Sequence, residues 1–94
     1  MNPTCEVVLT WPIRQGKREV LLCAKVITFG IPPVGTEFVS VSDSWVVERI
    51  YIDFPEGGVT CGIEAYVIDE SDPLERFDEA VAEYLAGGWE LCND

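Results

Sequence analysis

Two hydrophobic periods, one following the other, constrain this chain most. Apolar residues recur at every second position through residue 68, and then about every 3.6 positions to residue 86. A period of two belongs to strands with one buried face, and 3.6 belongs to a helix lying on a core. The order predicts an α+β domain: a curved or partly closed antiparallel sheet of five to six strands with one C-terminal helix packed on it. A chain of 94 residues supports one core rather than two, so residues 1–94 are read as a single domain.

Cys5, Val7, Leu9 and Trp11 alternate with Glu6, Val8 and Thr10, which predicts a first strand over about 5–11 and a turn over 12–17. Val20, Leu22, Ala24 and Val26 mark one face of a second strand. Leu21, Cys23, Ile27 and Phe29 on its other face predict partial burial on both sides. Pro32 and Pro33 make the next connection a stiff loop. Short strands over 37–41 and 45–54 are expected in the middle of the sheet. The turn Pro55-Glu56-Gly57-Gly58 then leads to a strand with Val59, Cys61, Ile63, Ala65 and Val67 inward and Glu64 outward.

Asp72-Pro73-Leu74-Glu75 reads as a helix start: Asp72 as the N-terminal cap, proline at the first helical position and Glu75 in the capping box. Leu74, Phe77, Ala80, Val81, Tyr84 and Leu85 form the apolar stripe of a helix over 73–86, closed by Gly87 as a left-handed cap. Trp89 and Leu91 share one face of a short return to the sheet.

Charge is unevenly placed. The whole chain has 17 acidic and 6 basic residues, a formal net charge of -11, and nine of the acids fall after Ile68. Such a balance repels nucleic acid and anionic lipid and favours a basic protein surface as partner. On the predicted helix Glu75, Glu79 and Glu83 lie four apart and form one exposed row, with Asp72 at its start and Asp78 nearby. These five carboxylates are the candidate partner-binding residues, and an acidic inhibitor that imitates a nucleic-acid backbone is the sharpest form of that reading. The alternatives are a small-ligand-binding, barrel-like domain and a homo-oligomer subunit, a homodimer in its simplest form. The second would use surplus apolar residues at Ile13, Ile31, Val34, Tyr51, Tyr66 and Ile68. The basic group Arg14, Gln15, Lys17 and Arg18 on the first hairpin turn is expected to face the helix or water.

No enzyme is expected. The chain has no histidine, the commonest general base and nitrogen ligand. Asp69, Glu70 and Asp72 are adjacent on an exposed junction, without the desolvation that would raise a carboxyl pKa or the alternating ligands and glycine of a calcium loop. Gly57, Gly58 and Gly62 are followed by no Gly-Lys-Ser/Thr, so no nucleotide, metal or other cofactor is expected. Cys5, Cys23, Cys61 and Cys92 lack the close spacing of zinc or redox motifs and are expected to be reduced, buried thiols. With no basic leader or membrane-spanning apolar run in the sequence, a soluble cytoplasmic protein is expected.

Overall fold

A computed structural model describes residues 4–53 and 55–92. Its strands are β1 (Cys5–Gln15), β2 (Arg18–Thr28), β3 (Glu37–Val39), β4 (Ser44–Ile52), β5 (Val59–Ile63), β6 (Tyr66–Ile68) and β7 (Glu90–Leu91), with one helix, α1 (Leu74–Ala86), before the last. The sheet runs β3-β4-β5-β1-β2-β7, and β6 follows β5 along the same side of β1. The α+β class is as predicted, but the sheet has seven strands and is mixed rather than antiparallel.

The pairs β1–β2, β3–β4 and β4–β5 are antiparallel, whereas β5 and β6 pair with β1 in parallel. The strand that dominates the core is therefore β1, while β3 and β4 lie at an edge instead of in the middle. Expected turn residues 12–15 continue β1. Pro12 falls between Thr10, the last residue beside β5, and Ile13, the first beside β6, a break where a missing N–H interrupts no ladder on that side. The real turn is two residues long, with Gly16 at φ 60° in its first position, as such hairpins require. Phe54, the expected end of β4, lies outside the described residues.

An extra residue explains the second register difference. Between the two parallel ladders three steps on β1, from Thr10 to Ile13, face four on the other side, from Gly62 to Tyr66. The inward set consequently changes from odd to even: Ile63 and Ile68 are buried, Glu64 is exposed as predicted, and Val67 points to solvent. A bulge in β4 between Val47 and Arg49 adds twist. The sheet is curved but not closed, and its curvature brings Ala24 and Val26 of β2 to the same groove as Phe38 and Trp45 from the opposite edge. Only one face is well covered. Leu21, Ile27 and Phe29 on the other are exposed, Phe29 by 86%, so β2 is not buried on both sides.

The helix rests on fewer anchors than its stripe suggests. Phe77 is 3% exposed, with Ala80, Val81 and Tyr84 partly buried, whereas Leu74 is 63% exposed. Asp72 makes no capping bond; Pro73 occupies the cap position, and the Asp72 carboxylate pairs with Arg76 at 3.4 Å. At the other end Gly87 has φ -85°, and Gly88 at 112° is the left-handed residue. Gly88 N–H donates to Leu85 O and Trp89 N–H to Tyr84 O, a Schellman ending shifted by one residue from the expected one. It turns Trp89 into the core, while Leu91 stays half-exposed. Gln15, expected near solvent, is buried: its Nε2 donates to the carbonyls of Asp69 and Asp72, each at 3.0 Å, and holds the helix approach against the hairpin.

Cys23 and Cys92 form a disulfide with Cα atoms 5.3 Å apart, contrary to the expectation of four thiols; Cys61 is a buried free thiol and Cys5 a partly buried one. Chemical denaturation should separate the two helix-face leucine and phenylalanine positions: Phe77→Ala is expected to cost about 3–5 kcal/mol, and Leu74→Ala to stay within about 0.5 kcal/mol of the parent. Equal losses would show that the helix docks along its whole stripe.

Candidate functional site

The five predicted carboxylates are all on or beside α1, but the fold divides them. Asp78 is bonded to Arg18 at 2.7 Å, and the same guanidinium lies 4.4 Å from the centroid of Phe77 and donates to the Leu74 carbonyl. Asp72 pairs with Arg76. Glu75, Glu79 and Glu83 are exposed and make no ion pair among the described residues. With a rise of 1.5 Å per residue, neighbouring members of this row sit about 6 Å apart along the helix. Of the hairpin cations, Arg14 pairs with Glu19 and Arg18 with Asp78. Lys17, Lys25 and Arg49 make no ion pair among the described residues, and none of the three lies on the helix.

The Asp69-Glu70-Ser71-Asp72 junction is a local turn. The Asp69 carboxylate accepts from the Ser71 N–H at 2.9 Å and hydroxyl at 2.8 Å, and these bonds hold its pKa below the usual carboxylate value. No group of three or more His, Cys, Asp or Glu suited to a metal ion occurs among the described residues.

A concave site that periodicity does not reveal lies beside the C-terminal half of the helix. Trp11 of β1 packs at 5.6 Å from Trp45, 6.2 Å from Tyr66, 4.5 Å from Tyr84 and 5.2 Å from Trp89. Trp45 and Tyr84 stand at 83° and 76° to it, and Tyr66 is nearly parallel at 14°. Four of these rings, Trp11, Trp45, Tyr66 and Tyr84, line an open cavity of about 460 Å³ whose other lining residues include Asp43 and Glu64. Burial raises the Tyr84 pKa, and Asp43, Tyr66 and Glu83 raise it further through their negative potential. The strand alternation placed Trp11 inward but gave no means of seeing that three other rings converge on it from β4, β6 and α1.

The surplus apolar residues also divide. Ile13 and Ile68 belong to the core and Tyr66 to the cavity wall, while Ile31, Val34 and Tyr51 are exposed. No family model matches the chain, and neither a curated protein nor a solved structure is significantly similar to it. Among the described residues no helix is long and apolar enough to cross a membrane.

The thiols provide a chemical check on this arrangement. Burial, with a smaller effect of Cys5, raises the Cys61 pKa, and thiolate is the form that alkylates. At neutral pH iodoacetamide should label Cys5 first and reach Cys61 only on unfolding, as read by peptide mass spectrometry. Because the folded pKa is raised, the stability Cys61 contributes as a neutral thiol is present below its ordinary pKa and declines as pH climbs above it. Rapid labelling of native Cys61 would contradict its burial.

Proposed function

We propose that this chain is a non-catalytic protein-interaction module whose acidic helix docks on a basic surface of a partner protein. The observation that carries this reading is the division of the carboxylates: Asp72 and Asp78 are occupied by arginines, whereas Glu75, Glu79 and Glu83 are left in one solvent-facing row. Three like charges in a row weaken the helix by a few tenths of a kcal/mol per pair, so the row is costly to the isolated helix and gains from a cationic partner. Carboxylates spaced along a rigid rod also suit an inhibitor that occupies a groove built for a polyanion.

The barrel alternative is weakened by the open sheet, which encloses no interior. Self-association is a second reading, favoured by Ile27, Phe29, Ile31 and Val34, which are all exposed between the end of β2 and β3; sedimentation that stays monomeric at rising concentration would dismiss it. The cytoplasmic placement stands against the Cys23–Cys92 bond, since such bonds persist in oxidising compartments and are rare in reducing ones. That bond favours a partner met in an oxidising setting.

The docking reading is tested with the variant Glu75→Gln, Glu79→Gln, Glu83→Gln. A purified partner captured by the parent should bind the variant about tenfold or more weakly, with affinity also falling between about 0.1 M and 1 M salt as the Debye length shrinks from about 10 Å to about 3 Å. Equal affinity of parent and variant at both salt concentrations would reject the acidic row as the contact surface.

A further inference from the structure

We infer that the cavity bounded by Trp11, Trp45, Tyr66 and Tyr84 is a binding site for a methylated or quaternary ammonium group. Three properties converge on that chemistry. The first is the lining: four aromatic residues line one cavity of about 460 Å³, within the range of small-ligand sites. A cation over such faces is attracted by their quadrupoles, and methylation of the nitrogen removes the N–H groups that would otherwise need hydrogen-bond partners.

The second is charge. Asp43 and Glu64 belong to the cavity lining, and no lysine or arginine does. Glu83 lies close enough to affect Tyr84, and the shallow depression that shares Tyr66 and Tyr84 with the main cavity is lined by Glu79 and Glu83 as well as Arg76. An anionic ligand would meet carboxylates without a cation of the cavity itself to offset them; a cationic one is attracted by Asp43 and Glu64.

The third is shape. Carbohydrates also stack on aromatic residues, but they do so on flat platforms. Here Trp45 and Tyr84 stand nearly perpendicular to Trp11 while Tyr66 is close to parallel with it. Tyr66 and Tyr84 are at 90° to one another with centroids 6.5 Å apart. These rings touch one another, so together they make a faceted wall against which a compact, rounded group can sit. The rings are also fixed before any ligand arrives: Trp11 is 5% exposed and lies in the core on β1, and Trp45 packs on Trp89 at 5.6 Å. Little ordering is therefore required on binding.

This site goes beyond the docking row and its occupancy does not rest on it. The test is titration of intrinsic tryptophan fluorescence with tetramethylammonium chloride and choline, against 3,3-dimethylbutan-1-ol, a neutral molecule of choline's shape. The two cations should give a saturable change, with the neutral compound at least about tenfold weaker. Asp43→Asn and Tyr66→Leu, each verified as folded by circular dichroism, should weaken choline about tenfold, and the triple glutamine variant, which leaves Asp43 and Glu64 in place, should weaken it less than either. A trimethyl-lysine peptide that binds more tightly than choline, and than its unmethylated form, would assign the group to a protein side chain; equal affinity for free choline would assign it to a small molecule. No saturable change with either cation, or equal binding of the neutral compound, would overturn the proposal, and neither outcome would bear on the helix row.

Discussion

Trp11 is the contact on which the rest of the structure depends. It is carried by β1, which pairs with β2 on one side and with β5 and β6 on the other, and it meets rings from β4, β6, α1 and the segment leading into β7. The sheet covers only one of its faces, and the helix has a single fully buried anchor in Phe77. A small domain of this kind has few ways to fasten separate elements to one another. Gathering four aromatic residues around one side chain supplies both buried area and fixed geometry, because aromatic pairs favour crossed and offset arrangements over random ones.

Local chemistry was legible in the sequence where it concerned one element at a time. Alternation found the strands, and the segment from Pro73 to Gly87 reads as a helix because its apolar spacing, proline and glycines agree. Errors arose where two elements decide the outcome together. Nothing in Cys5–Gln15 by itself says that β5 will lie beside it in parallel; that depends on the path the chain takes from β2 through β3 and β4 and on which edge β5 reaches. Leu74 has the spacing of a core residue, but the sheet does not extend beneath it. Gln15 looks like a turn residue until two carbonyls 54 and 57 positions later are brought to its amide. The five acidic candidates were visible as charges, yet only the fold shows that Arg18 and Arg76 claim two of them. The ring-lined cavity was hidden for the same reason, because its walls come from four separate elements.

Electrostatics is organised around this division. The chain carries few cations, and the structure places Arg14, Arg18 and Arg76 in contacts with its own carboxylates. Exposed pairs of this sort contribute about 0–1 kcal/mol each, so their larger effect is on where negative potential remains. It remains along the outer helix row and around the aromatic cavity, on two surfaces that meet at Tyr66 and Tyr84. Charge and ring geometry therefore act on adjoining parts of one face.

The Cys23–Cys92 bond has a topological consequence. Its two ends are 69 positions apart, so the segment between them is a covalent ring that includes β3, β4, β5, β6 and α1, while β1 lies outside the ring and is held by its ladders and by core packing. One peptide cleavage inside the ring, for instance in the proline loop, leaves a two-chain molecule of unchanged connectivity that comes apart only on reduction. A cleavage before Cys23 has no such protection and releases the strand that carries Trp11. The surface loops can thus be cut without dispersing the domain, and its most exposed mechanical weakness lies at the hairpin turn around Gly16.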